Sequence, residues 1–257
     1  MERFITQCTS RVRKQFPAIW EVYFFKGDPG SHVIETALGK IGVGICFDSH
    51  LAAIARLMQE QSVDLVLMPH SYPMAEKPSR VVSERDITRS KRILQEMAPL
   101  YARLLGVPAV LVNKSGPWAS PVPRSLLPKP GPSRFPGLST IADADGTIEA
   151  QLGDEEGISV AEVTLDPSRK RHAKLPQYSR WIYPGPAGRE VLGVVEWMGR
   201  RWYERSAERR EKALAMSSAP SPFPGVTSLH ATFLSPAATC AAPAVAASSS
   251  SGDPACA

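Results

Sequence analysis

Cys46 closes the stretch GKIGVGICFDSH, residues 39–50, in which Ile41, Val43 and Ile45 alternate before the chain turns polar at Asp48. A thiol at the end of an apolar strand is either a small buried hydrophobe or a nucleophile that the strand exists to present. A cysteine attacks as thiolate, so a working one needs a cation, a base or a dipole to bring its pKa below the ordinary value of roughly 8.5. Upstream, RKQFPAIWE offers Lys14 and Glu21, a spacing that by itself describes any solvated surface. Two more polar groups follow apolar runs: His70 after VDLVLMP and Asn113 at the end of VPAVLVN. A strand-end histidine lines a pocket or sits satisfied in the fold. An asparagine there caps backbone as readily as it meets a substrate. Neither metal nor organic cofactor is expected, because no cluster of histidine, cysteine and carboxylate has ligand spacing.

The elements that would position these groups alternate along the chain. HVIETALGKIGVGIC reads as two β runs with a turn at Leu38-Gly39-Lys40. LAAIARLMQEQ places Leu51, Ile54, Ala55 and Met58 at helical spacing. SERDITRSKRILQEMAPLYARLLG is a longer helix with Ser83 as N-cap and Gly106 as stop. A Pro-rich loop from Pro117 to Pro136 has no period, and GLSTIADADGTIEAQL carries an Asp-Gly hairpin turn. GISVAEVTL alternates and is expected to end the sheet-forming region near Asp166. Buried strands separated by amphipathic helices predict an α/β fold, with Cys46, His70 and Asn113 at the strand ends where such sheets bind ligands.

The 257 residues suffice for a real core, and 43% hydrophobic with 21% charged is ordinary globular usage. A net charge of +5 demands no nucleic-acid partner. Cysteines 8, 46, 240 and 256 form no disulfide framework, which suits a reducing compartment. No apolar run reaches the roughly 20 residues of a membrane span. MERFITQCTSRVRKQF does not read as a secretory signal, so a cytoplasmic protein is expected. Residues 189–216 are expected to form a basic amphipathic helix with Val191, Val194, Val195, Met198 and Trp202 on one side. Interleaved glutamates dilute its charge, so it should pack on the domain or on another subunit rather than lie on a membrane. Residues 217–257, rich in Ala, Ser and Pro, are expected to be a disordered tail, leaving 1–188 as the folded domain.

The ordered succession RKQFPAIWE, FFKGDPGSHVIETALGKIGVGICFD, ARLMQEQSVDLVLMPHS, LLGVPAVLVNKSG, FPGLSTIADADGTIEA and GISVAEV resembles the carbon–nitrogen hydrolase (nitrilase) superfamily from about Arg13 to Asp166. The resemblance implies a four-layer α-β-β-α sandwich and hydrolysis of a non-peptide carbon–nitrogen bond in a small amide, carbamoyl or nitrile substrate. It makes Cys46 the nucleophile, Lys14 the oxyanion-stabilising ammonium and Glu21 the carboxylate that orients the lysine. It leaves His70 and Asn113 as substrate-side candidates, and it implies a homo-oligomer. Two departures accompany it. The family's general-base glutamate lies far upstream of the lysine, so this chain is expected to lack it together with the first strand and helix of one half of the sandwich; Glu2 is too close to Lys14 for that role. SHLAAIAR also lacks the Phe-Pro-Glu of many branches and keeps only Arg56. Two functions therefore stay open on the sequence: a cysteine-dependent hydrolase, or a catalytically dead or truncated relative acting as a scaffold.

Overall fold

The first hairpin forms where its turn residues allow it. Strand β1 (Val33–Thr36) pairs antiparallel with β2 (Gly39–Val43), and Gly39 supplies the left-handed φ of 117° that re-enters the sheet. In the computed structural model β2 then runs parallel to β3 (Leu65–His70), which runs parallel to β5 (Ala109–Asn113). The Asp-Gly hairpin forms as expected, β8 (Thr140–Ala142) with β9 (Ile148–Gln151), and Gly146 takes φ 90° in its turn. The main sheet is six-stranded in the order β1-β2-β3-β5-β8-β9. Residues 12–18, 21–27, 30–79, 82–118, 132–184 and 189–218 are described, all within one compact unit, Cys8–Ala219. Of the tail expected over 217–257, residues 217 and 218 are helical instead, and the part from residue 219, the middle of the Pro-rich loop, and Cys8, Cys240 and Cys256 lie outside them.

Helices α1 (Ala52–Glu60) and α2 (Glu84–Leu105) cover one face of this sheet. Ile54, Ala55 and Met58 of α1 and Leu94, Met97, Tyr101 and Leu105 of α2 pack with Val66, Met68, Ala109 and Leu111 in one buried cluster. The helix limits follow from local chemistry. The Ser83 hydroxyl accepts from the Asp86 N–H while the Asp86 carboxylate accepts from the Ser83 N–H, and Gly106 ends α2 in the left-handed conformation at φ 70°. Among the described residues no helix covers the opposite sheet face: Val112 is 56% exposed, and Leu65, Leu67 and Val110 are half-buried.

Three expectations are corrected. Residues 157–165 contain no strand; Ile158 and Val160 are 92% and 87% exposed. The Pro-rich loop is not wholly aperiodic, since β6 (Ser115–Trp118) and β7 (Ser133–Pro136) pair at its two ends and join β4 (Met74–Ala75) in a small second sheet. The basic segment is two helices, α3 (Arg189–Arg205) and α4 (Ala207–Ser218), broken at Ser206. Moreover, in the stripe expected to pack (Val191, Val194, Val195, Met198 and Trp202), Val194, Met198 and Trp202 are exposed, Val195 is half-buried and the side chain of Val191 is not among those described; Gly199 is buried, seated on Val22 and Tyr23. The helix meets the Glu21–Tyr23 turn at this glycine.

Candidate active site

Cys46 stands at an elbow. Strand β2 ends, the chain passes Gly44, and Cys46 takes φ 52° before a 3-10 turn over Cys46–His50. A left-handed cysteine costs of order 1–3 kcal/mol and is held only where its surroundings over-determine it. Here they do: the Ser49 hydroxyl donates to the Gly44 carbonyl at 2.7 Å, and the buried Tyr101 hydroxyl donates to the Ser49 carbonyl at 2.8 Å. A Cβ on Gly44 would come within 2.7 Å of Ser49 Oγ, the same hydroxyl that braces the turn, so a side chain there would push that brace aside. The elbow turns the free thiol toward the end of β3, where the backbone N–H groups of Ser71 and Phe47 face it. Burial pushes the thiol pKa up, the Lys14 ammonium and the two N–H groups pull it down, and Glu21 adds a weaker upward push.

Lys14 reaches this thiol because its segment is pinned. Asp48, two residues after the nucleophile candidate, accepts from the Gln15 N–H at 3.1 Å and the Phe16 N–H at 2.8 Å. Fully buried His32 bridges from β2, with Nδ1 2.9 Å from the Val43 carbonyl and Nε2 3.1 Å from the Gln15 amide. Burial raises the Asp48 pKa against the pull of those two N–H groups, His32 and Lys14. Lys14 Nζ then lies 2.5 Å from Glu21 Oε2, with the lysine side chain 11% exposed. Glu21 also closes its own turn by accepting from the Ala18 N–H at 2.6 Å. A nearly buried ammonium is poorly screened, so its field acts on everything nearby.

That field includes two histidines. His70 is buried at the end of β3; its Nδ1 lies 2.9 Å from the Met68 carbonyl, so Nδ1 carries the hydrogen and Nε2 is a bare acceptor. Burial and Lys14 bring its pKa down to about 4, against the upward pull of the Met68 bond. His50, at the end of the elbow turn, has Nδ1 2.6 Å from the Tyr183 hydroxyl, stacks on Tyr72 and meets the His70 ring edge-on at 5.5 Å. Burial drives its pKa well below the ordinary value, with smaller contributions from His70 and Lys14. The Nε2 atoms of both rings are buried with no hydrogen-bond partner among the described residues. Asn113 is employed otherwise: Oδ1 accepts from the Tyr72 N–H at 2.9 Å and Nδ2 donates to the Gly137 carbonyl at 3.0 Å, tying the loop after β3 to the loop before β8.

Of the five residues singled out in the sequence, Cys46, Lys14, Glu21 and His70 therefore share one electrostatic neighbourhood, and Asn113 shapes its wall. Asp48, His32, His50, Tyr72 and Tyr183 were not singled out. Asp48 had a signal in the Cys-Phe-Asp spacing; Tyr183, 133 residues from His50, had none. A separate open groove of about 610 Å³ lies on the uncovered sheet face, lined by Val110, Val112, Lys114, Ile141, Leu152 and Ile158 among others. Its lining carries the hydroxyls of Ser115, Ser139, Thr140 and Ser159, while Cys46, Lys14, Glu21 and His70 lie outside it. No group of three or more His, Cys, Asp or Glu suited to a metal occurs among the described residues.

A family model described as carbon-nitrogen hydrolase matches residues 7–172. The N-carbamoylputrescine amidase of Arabidopsis thaliana is 33% identical over 147 residues, 56% of this chain and 45% of that protein. The enzyme of the same name from Solanum lycopersicum is 33% identical over 161 residues, 61% of this chain and 49% of that protein. The chain thus spans about half the length of the curated relatives it matches. Among solved structures, a carbon-nitrogen hydrolase from Helicobacter pylori G27 aligns with TM-score 0.51 and 23% identity over 79% of this chain and 59% of the other, a likeness of fold.

Proposed function

The chain belongs to the carbon–nitrogen hydrolase family, and from that premise we propose that it takes part in hydrolysis of a non-peptide carbon–nitrogen bond in a small amide or carbamoyl compound, with Cys46 as nucleophile. The observation that carries this reading is the elbow: a left-handed Cys46 facing two backbone N–H groups within the field of a nearly buried Lys14 ammonium. On this reading Cys46 Sγ bonds to the carbonyl carbon while the thiol proton passes to the substrate nitrogen. The carbonyl oxygen takes up the negative charge, which Lys14 and the N–H donors stabilise as it develops. Glu21 holds Lys14 in place. The carbon–nitrogen bond then breaks, the nitrogen leaves with a proton as ammonia or amine, and water attacks the thioester carbon to release the acid and restore the thiol.

The buried acceptor on His70 supports amides and carbamoyl compounds over nitriles, because it suits a substrate N–H and a nitrile has none. Asn113 contributes by holding Tyr72. The names of the relatives point the same way, toward carbamoyl compounds of amines. We take the protein to act in the cytoplasm, where a free thiol stays reduced, and as a homo-oligomer.

A second reading, a scaffold without turnover, is favoured by one observation: burial raises the Cys46 pKa, so the resting thiol keeps its proton unless a base removes it. Incubation with a primary amide or N-carbamoyl amine, followed by ammonia assay and peptide mass analysis, separates the two. An acyl adduct on Cys46 with ammonia release supports the hydrolase; neither product, with Cys46 intact and the fold intact by circular dichroism, supports the scaffold.

A further inference from the structure

We infer that helices α3 and α4 form a clamp on the 3-10 turn Glu21–Tyr23, so that Gly199 and Arg209 are positioning residues for the Lys14–Glu21 pair. The inference rests on the reading of Cys46 and Lys14 given above, and its geometry is independent of that reading. The turn that carries Glu21 is three residues long, between segments without regular structure, and its own bonds are local ones to Ala18, Phe24 and Phe25. Gly199 of α3 and Arg209 of α4 brace it from outside. Gly199 lies against it so closely that a Cβ there would collide with Val22 Cγ2 and come within 2.8 Å of the Tyr23 ring. Arg209 Nη1 donates to the Tyr23 carbonyl at 2.8 Å, and its guanidinium lies over the rings of Phe24 and Trp202. On the other side α3 is latched by Arg180, which donates two hydrogen bonds to Glu196 at 2.7 and 2.8 Å and lies over the rings of Phe47 and Trp181.

The contacts run in sequence from helix to thiol. Gly199 and Arg209 hold Val22 and Tyr23; the turn holds Glu21; Glu21 holds Lys14 at 2.5 Å. Arg180 touches Phe47, the residue after Cys46, so the latch closes on the elbow as well. A helix pair that merely added stability would have no reason to meet the chain on both sides of the thiol. Its basic residues have work here: Arg209 binds a carbonyl and two rings, which accounts for part of the cluster of arginines that the sequence left without a task.

The test is the pH dependence of Cys46 alkylation by iodoacetamide in the 257-residue protein, followed by peptide mapping from about pH 6 to about pH 10. It requires no turnover. The Lys14 ammonium lowers the thiol pKa, more strongly than Glu21 raises it. Lys14→Gln should therefore raise the midpoint, and Gly199→Val, which wedges the turn off the helix, should raise it in the same direction. We expect at least about half a pH unit for each, a roughly threefold lower rate below the midpoint. Glu196→Gln combined with Arg209→Gln unlatches the helices without adding volume and should do the same. A shift with Lys14→Gln but none in whichever clamp variants fold, judged by circular dichroism, overturns the clamp. No shift with Lys14→Gln itself instead overturns the reading of Lys14, whatever the clamp variants do.

Discussion

The charges around Cys46 are arranged so that one cation serves several neutral neighbours. Lys14 bears on the thiol and on both buried imidazoles, and Glu21 keeps it from wandering. Replacing Lys14 with Ala in a form that turns over substrate should lower kcat by about a hundredfold or more, the usual cost of one oxyanion-stabilising group; steady-state kinetics on an amide checks it. His70 gives a pH signature. Its pKa is ordinary, 6.5, in the unfolded chain and about 4 in the fold, so the unfolded state binds the extra proton between these values. Stability is therefore full above about pH 6.5 and falls as pH drops toward 4, by roughly 3 kcal/mol for this group alone. His50 pulls the same way. The fall in Tm across that window should be shallower in His70→Asn, whose amide can still donate to the Met68 carbonyl, and shallower again with His50→Phe added. Asp64 and Asp143, whose pKa values lie below 3.8, lose their contribution only at lower pH, which separates the effects.

At the scale of elements, the elbow carries a cost that substitution can measure. Alanine and glycine at position 46 both remove the thiol, but only glycine relaxes at φ 52°. Cys46→Gly should be more stable than Cys46→Ala by about 1 kcal/mol in urea denaturation; equal stabilities would mean that the turn is not strained. The elements themselves were readable where a local rule sufficed: the Gly39 turn, the Ser83 and Gly106 ends of α2, the apolar runs of β3 and β5, and the Asp-Gly hairpin. Residues 157–165 misled because alternation states which side chains share a face, not that a neighbouring strand is there to pair. Strands β6 and β7 escaped because Pro117 and Pro136 lie in their ladder and read as loop; Pro117 sits on the edge strand, and Pro136 at the end of β7 beyond its pairing with β4. In the site, Cys46 was legible from its strand end, and Lys14 and Glu21 only through resemblance to a family. The wall of His50, Tyr72 and Tyr183 closes through a contact between His50 and Tyr183, 133 residues apart, and no spacing announces it.

At the scale of the molecule, α3 and α4 close on the domain while Val194, Trp197, Met198 and Trp202 face outward. No helix among the described residues is long and apolar enough to cross a membrane. Deleting residues 189–257 should lower Tm and change the mass measured by sedimentation without altering pelleting on anionic liposomes; liposome binding that disappears with the deletion would contradict this. The main sheet has the opposite character on its two sides. Helices seal one; the other shows Val110, Val112 and Ile141 along strands whose parallel neighbours ordinarily have both faces buried. Any contact made through that open side would be entropic in origin near room temperature and would carry a negative heat-capacity change. Such association should therefore strengthen on mild warming and in sulfate and loosen in the cold, whereas contacts made by the arginine-rich helices should weaken as salt is added. Temperature and salt type would distinguish the two sides of one molecule without a single substitution.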